Sequence, residues 1–241
     1  MCIRDSYKGD NEFATFLHSK GYELEKKKFK LFTFSRLYVD DFKIIDDRMK
    51  IWSEEVYFYV SFFVDRAGQH LVRGIIKEIF SQEDFRLGDS ITQVDFKVKA
   101  VEEKELSIEA NQVKLQTVSP LMVGKPVMGE NGKLSNKYLE PNDEDFEKYF
   151  FQNLISKYMT AKAHGFVSNI DFDKKLQFKL LSRKVKRQGV RIKAHTKAET
   201  KIIGYQFDFE LTAPKELIEL GMLAGFGGEN ALGFGATKFL N

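Results

Sequence analysis

The chain has 241 residues and a mass of 27.9 kDa, enough for one large domain or two small ones with a useful core. Apolar residues make up 43% and charged residues 30%, an ordinary soluble balance, and the formal net charge is only +3. One cysteine, Cys2, excludes an internal disulfide framework and a cysteine-based zinc site, and 4 Pro exclude a long Pro-rich linker. The unusual count is 23 Phe, which suggests sheets with heavily packed faces.

No run approaches the roughly 20 apolar residues of a spanning helix. Met1–Ser6 is not a signal peptide, because no apolar stretch follows a basic start. The expected compartment is the cytoplasm.

Asp10–Lys20 reads as a short helix, with Phe13, Phe16 and Leu17 at i, i+3 and i+4 and Gly21 as its stop. Phe29–Leu37 is strand-like, with Phe32 and Phe34 on one face and Leu31 and Thr33 on the other. Val56–Val64 is the strongest strand pattern, β-branched and aromatic. Gln69–Ser81 switches to helical spacing through Leu71, Val72, Ile75, Ile76, Ile79 and Phe80. Val94, Phe96 and Val98 then alternate with charged residues, as in a half-buried strand.

Val113–Val123 opens the second half as a strand, and Gly129, Asn131 and Gly132 mark a loop. Asp143–Ala163 is a helix with Phe146, Tyr149, Phe150, Leu154 and Tyr158 on one face. Gln177–Val185, Val190–His195 and Gly204–Thr212 read as strands, Pro214–Leu223 as a short helix with Pro214 at its first position, and Phe234–Leu240 as a closing strand. Both halves follow the split β-α-β pattern of a ferredoxin-like domain, except that the first lacks its leading strand. The seam lies near residues 105–120. It has no linker composition, so the halves should pack together.

Three signals could carry chemistry. The run from Gly221 to Gly235 holds six glycines, at 221, 225, 227, 228, 233 and 235. Such density allows close backbone approach, and successive amides could form an anion nest. Phe226, Leu232 and Phe234 would pin this loop to the core and argue against a floppy turn. A Rossmann fingerprint is excluded by order, since only six residues follow Gly235, and a P-loop by the absence of Gly-Lys-Ser/Thr.

The second signal is charge. Arg183, Lys184, Lys186, Arg187, Arg191, Lys193, Lys197 and Lys201 face a single acid, Glu199, so this segment carries +7 and the rest of the chain −4. A solvated hairpin and a phosphate-tracking ridge are equally good accounts of this segment alone. The third signal is histidine. His70, His164 and His195 have no partner at metal spacing, which argues against a metal site. His164 suits a helix C-terminus. His18 ends the first helix and precedes Lys26, Lys27, Lys28 and Lys30.

Three segments together resemble one family. They are Gly225–Gly235, Phe16-Leu17-His18 with Gly21-Tyr22 and Phe29–Leu37, and Leu115–Pro120 leading to Tyr138-Leu139 and the Phe146–Tyr158 helix. The family is that of the CRISPR-associated endoribonucleases that cut precursor crRNA within its repeats, the sixth Cas family of the RAMP superfamily. Its glycine loop follows a "GxG-(E)-(K/N)-x-x-GFG" pattern. The resemblance implies an α+β fold with tandem ferredoxin-like (RRM-like) domains, here 1–110 and 111–241. It also implies a strand and a longer first helix before Asp10, so the natural chain is expected to be longer, with Met1–Ser6 a foreign start. A tyrosine found in many members falls in register near Ile3, and Tyr7 does not align.

The implied activity is metal-independent, cofactor-free cleavage by 2′-hydroxyl attack, leaving a 2′,3′-cyclic phosphate and a 5′-hydroxyl. His18 matches the catalytic histidine and Lys30 the lysine of a "K-L-F" element. Gly225, Gly227, Gly228, Gly233 and Gly235 would hold RNA together with Arg183, Lys184, Lys186, Arg187, Arg191 and Lys193. Arg191 and Lys193, alternating on one strand face, are the leading contacts. The implied partner is CRISPR repeat RNA within precursor crRNA, and other effector-complex subunits or a second copy are compatible with the family. Two alternatives are a non-catalytic repeat-RNA-binding subunit of an effector complex and a small-molecule-binding pair of ferredoxin-like domains.

Overall fold

The computed structural model describes residues 21–24, 27–46, 48–64, 85–88, 92–129, 132, 134–170, 175–192 and 199–240. The expected helices over Asp10–Lys20 and Gln69–Ser81 lie outside the described residues, as do His18, His70, Lys193 and His195. Among the described residues no helix is long and apolar enough to cross a membrane.

The first half is built from antiparallel pairs. β1 (Tyr22–Leu24) pairs with β2 (Lys27–Phe29). One long hairpin follows. β3 (Phe32–Phe34), β4 (Tyr38–Val39) and β5 (Phe42–Ile45) run outward, and β6 (Arg48–Ile51), β7 (Val56–Tyr57) and β8 (Val60–Phe62) run back along them. β9 (Phe85–Gly88) pairs with β10 (Gln93–Phe96).

The strand expected over Phe29–Leu37 is therefore broken. Leu31 takes a left-handed conformation (φ 49°) and turns the chain between β2 and β3 while its side chain enters the core. The Phe62–Phe32 and Val60–Phe34 pairs shift register by one residue before Tyr57–Tyr38. At that step Ser35 accepts the Tyr59 amide through Oγ at 2.9 Å and donates its own amide to the Tyr59 carbonyl at 2.9 Å. The bulge divides the expected Val56–Val64 strand in two. The last strand of this half, β10, ends at Phe96 in a two-stranded pair with β9 and leaves Val94 exposed, not half-buried.

The second half has an exact strand order. β11 (Gln112–Thr117), α1 (Phe146–Ala163), β14 (Gln177–Leu180), β17 (Asp208–Thr212), α2 (Lys215–Ala224) and β18 (Thr237–Phe239) follow one another as β-α-β-β-α-β. In the sheet they stand in the order β14, β17, β11, β18, all antiparallel, which is the ferredoxin-like arrangement. Two hairpins are inserted: β12 (Gly124–Met128) with β13 (Leu134–Tyr138), and β15 (Lys186–Ile192) with β16 (Thr200–Gln206). Of the expected loop marked by Gly129, Asn131 and Gly132, the Gly132 amide donates to the Gly129 carbonyl between the strands of the first, and Asn131 lies outside the described residues. The expected Val113–Val123 strand stops at Thr117, because Ser119-Pro120 leaves the sheet to meet the C-terminal loop. β15 starts four residues before Val190, so Lys186, Arg187 and Arg191 stand inside a strand, while Arg183 and Lys184 lie in the bend before it.

The core lies between this sheet and its helices. On α1, Phe146, Phe150, Leu154 and Tyr158 are buried as the spacing predicts, and Tyr149 is half-buried. The helix begins at Phe146, three residues late, because Asp143 instead accepts the Glu140 amide in a turn. Phe150 stacks on Phe226 at 5.5 Å and meets Phe209 edge-on. Phe209 and Leu211 face the helices, while Asp208 and Glu210 face away, as alternation requires. Pro214 caps α2 from just outside its first turn.

The halves pack directly, as the absence of a linker suggested. Lys27 Nζ donates to Ser156 Oγ at 2.8 Å, Ser61 Oγ to the Met222 carbonyl at 3.3 Å, and Tyr22 packs edge-on against His164. His164 closes α1 at its C-terminal end, as expected.

Candidate functional site

The three motif segments of the sequence meet at one seam. Thr33 on β3 is buried and donates Oγ1–H to the Phe234 carbonyl at 2.8 Å. The Phe34 ring lies where a side chain at Gly233 would stand, 2.5 Å from that position. From the other side, the Gly235 amide donates to the Pro120 carbonyl at 2.8 Å and the Ala236 amide to Ser119 Oγ at 2.9 Å. Residues 33–34, 119–120 and 233–236 thus form one hydrogen-bonded unit across both halves.

The glycine loop is mostly interior. Gly225, Gly227 and Gly235 are buried, and Gly228 and Gly233 half-buried. The amides of Gly228, Gly233 and Gly235 donate to the carbonyls of Met122, Asn230 and Pro120. These three donors are satisfied within the fold, so the anion nest expected of successive amides narrows to the remaining ones. The glycines serve packing: a Cβ at Gly235 (φ 75°) would lie 1.9 Å from the Phe226 carbonyl oxygen, and one at Gly227 (φ 67°) 2.2 Å from that of Met122. Phe226 and Phe234 are buried as expected, whereas Leu232 stays partly exposed on a 3-10 turn.

Lys157 holds this loop from below. It is 1% exposed on α1, and its Nζ donates to the Gly225 carbonyl at 2.5 Å, the Gly227 carbonyl at 2.7 Å and Asn230 Oδ1 at 2.6 Å. An ammonium has three protons for these three oxygens. Burial alone pulls its pKa down to about 7. Asn230 completes the strap, donating Nδ2–H to the Phe226 and Phe234 carbonyls at 3.0 and 2.9 Å. Neither residue stood out as a candidate in the sequence. The signal was present, since Lys157 lies seven residues after Phe150 and three after Leu154, on the apolar stripe of α1.

The basic segment behaves oppositely. Arg183, Lys184, Lys186, Arg187 and Arg191 are all exposed, and so is Lys201. Arg187 stands across from Tyr205, whose hydroxyl donates to Glu140 at 3.2 Å. Arg191 stands across from Lys201 and approaches Glu199 at 3.9 Å. The same ladder places Arg187, Gly189 and Arg191 on one face of β15, with Val190 and Ile192 on the other face against Ile202, Met122 and Phe234. Apolar anchoring on that face holds the cations of the first towards solvent. Tyr138 joins the two regions: its hydroxyl donates to the Lys201 carbonyl at 3.4 Å. Burial, and then Glu229 of the glycine loop, raise its pKa. Lys30 is half-buried in the turn between β2 and β3, beside Leu31.

Residues 95–239 match the family described as "CRISPR associated protein Cas6, C-terminal", and residues 5–102 match "CRISPR-associated protein Cas6, N-terminal". The chain is 26% identical over 209 residues to "CRISPR-associated endoribonuclease Cas6 1" of Methanocaldococcus jannaschii, covering 87% of this chain and 73% of that protein. It superposes on a structure described as "Characterization of a Cas6-related gene from Pyrococcus furiosus" with a TM-score of 0.72 and 24% identity, over 96% of this chain and 84% of that one. A second structure, "An RAMP protein binding different RNA substrates", gives 0.70 and 24% over 96% and 85%. The fold is accordingly α+β with two ferredoxin-like halves in tandem, and the chain belongs to the Cas6 family.

Proposed function

We propose that this protein binds CRISPR repeat RNA and cleaves it without a metal ion, producing mature crRNA from its precursor. The observation that carries this reading is the seam at which Thr33-Phe34, Ser119-Pro120 and Gly233–Ala236 lock together, with the exposed cations of β15 joined to it through Tyr138. The endoribonuclease relative and the RNA-binding structural neighbour support it.

In the proposed reaction a ribose 2′-oxygen loses its proton and attacks the adjacent phosphorus. The bond to the 5′-oxygen breaks, that oxygen takes up a proton, and the products are a 2′,3′-cyclic phosphate and a 5′-hydroxyl. His18 is assigned the proton transfer, because an imidazole titrates near neutrality. Lys30 is assigned to the charge that builds on the phosphoryl oxygens. Arg183, Lys184, Lys186, Arg187, Arg191 and Lys193 would hold the backbone on either side, with the remaining amides of the glycine loop beside them. The test is cleavage of the repeat RNA encoded beside the gene, with and without chelator. The expected result is an unchanged rate in chelator, and a loss of about 10²- to 10⁴-fold in His18→Ala with binding retained. Metal-dependent cleavage would overturn the mechanism, and tight binding with no product at long times would identify a binding subunit instead.

A further inference from the structure

A cleft of about 360 Å³ lies where the long first-half hairpin meets the open face of the second-half sheet. Its volume falls in the range that holds a small ligand. Arg36 and Tyr38 line one wall, and Gln116, Gln206, Asp208 and Lys238 line the other. The hairpin wall is a column of planar groups. The Tyr38 and Tyr57 rings stack at 4.8 Å and 7°, and the Arg36 guanidinium sits 5.3 Å from the Tyr38 centroid. A parallel ring on one face leaves the other face to the cation, so Arg36 ends the column. Tyr59 braces it edge-on to both tyrosines, with Lys104 over the Tyr59 ring at 5.4 Å. Tyr57 and Tyr59 are 53% and 47% exposed, an unusual position for rings this well ordered against one another.

The opposite wall is neither apolar nor uniformly basic. Asp208 accepts Gln116 Nε2 at 3.0 Å through Oδ1, and its amide donates to Ser182 Oγ at 2.7 Å. A carboxylate in a phosphate-only cleft would be repulsive. Opposite a stacking column it is well suited to accept from a base amine, as acidic side chains do from cytosine N4. Lys238 adds one cation beside it.

We infer that this cleft is a subsite for one unstacked nucleotide of the bound RNA, the base lying on the Arg36–Tyr38–Tyr57 column with its amine-bearing edge towards Asp208. Lys238 meets the adjoining phosphate. The inference rests on the RNA-binding reading above and adds to it a base preference, for cytosine over uracil, which has a carbonyl where cytosine has its amine. Arg36 offers the base a planar cation, which lysine cannot do, and the two tyrosines behind it hold that plane in position.

The test uses the full chain and fluorescein-labelled 12-mers of cytidine or of uridine, by anisotropy over a series of salt concentrations, with melting curves as a check on folding. The wild type should bind the cytidine oligomer at least about 5-fold more tightly than the uridine one. Arg36→Lys and Tyr38→Leu should each weaken binding about 5- to 150-fold with the salt slope unchanged, since stacking releases no counterions. Tyr38→Phe should bind as wild type. Asp208→Asn should bring the two oligomers to nearly equal affinity. Arg187→Ala serves as the contrast: it should lower the salt slope by about 0.7 and leave the cytidine preference intact. Wild-type affinity with Arg36→Lys and Tyr38→Leu, both folded, would overturn the subsite alone. Equal wild-type affinities would overturn the role of Asp208. No binding of either oligomer at low salt would overturn the RNA-binding reading itself.

Discussion

The glycine loop and the basic hairpin are the two segments that composition singles out, and the fold treats them in opposite ways. Most of the loop's glycines, and the amides of Gly228 and Gly235 with the carbonyls of Gly225 and Gly227, are turned inward, onto Phe34, Met122, Pro120 and Lys157. The hairpin keeps its apolar residues inward and, with the bend before it, leaves Arg183, Lys184, Lys186, Arg187 and Arg191 in solvent. A dense run of glycine thus marks where backbone approaches backbone, and a dense run of cations marks where charge is left unneutralised by the fold. The loop is the clasp that sets the geometry of the two halves, and the hairpin is the surface that this geometry presents.

That contrast can be broken first at the clasp. Gly235→Ala combines a left-handed backbone with a Cβ 1.9 Å from a carbonyl oxygen. A loss of about 4 kcal/mol or more is expected in urea unfolding. A stable Gly235→Ala protein would show that the loop can shift, and the clasp would not be rigid.

Lys157→Met is next, at about 3–5 kcal/mol, since three buried acceptors lose their donor. The same residue sets a pH dependence. Its folded pKa lies near 7, below the ordinary 10.5, so between these values the unfolded chain binds more protons than the folded one. Stability should therefore rise as pH climbs from about 7 towards 10.5. Denaturation midpoints across that window should lose this rise in Lys157→Met.

Thr33→Val removes one buried hydrogen bond across the seam while keeping the shape. It should cost about 1–2 kcal/mol. Its unfolding should remain a single transition if the two halves melt together, and split into two if the seam is what couples them.

Arg191→Ala should be the mildest in stability, within about 0.5 kcal/mol, because its carboxylate neighbour stands 3.9 Å away at the surface. Its effect should appear in the salt dependence of RNA binding. A destabilisation as large as that of Thr33→Val would place the hairpin in the clasp as well.

Much of this was legible from residue order. The α1 stripe, the alternation of Tyr205, Phe207, Phe209 and Leu211, and the β-α-β-β-α-β succession all follow from local periodicity, and the structure keeps them. The misplaced elements failed for nonlocal reasons. Leu31 interrupts a strand pattern because a left-handed turn sends its side chain into a core shared with the second half. Thr33 is buried because Phe234, two hundred residues on, accepts its hydroxyl. The hairpin of β12 and β13 carried no clear alternation. The roles of Asn230 and Lys157 depend on partners brought in by the sheet order.

The net charge of +3 concealed a segment at +7, and sequence alone was enough to find it, because charge is a property of composition. Sequence also determined the class of fold and, through three motifs, the family. Tertiary structure decided which of the flagged groups still face outward. Whether an amide or a cation is available to a ligand depends on what lies opposite it, and that is set by packing between segments far apart in the chain. The cleft between Arg36, Tyr38 and Asp208 belongs wholly to this second kind, since no local pattern joins residues 36 and 208.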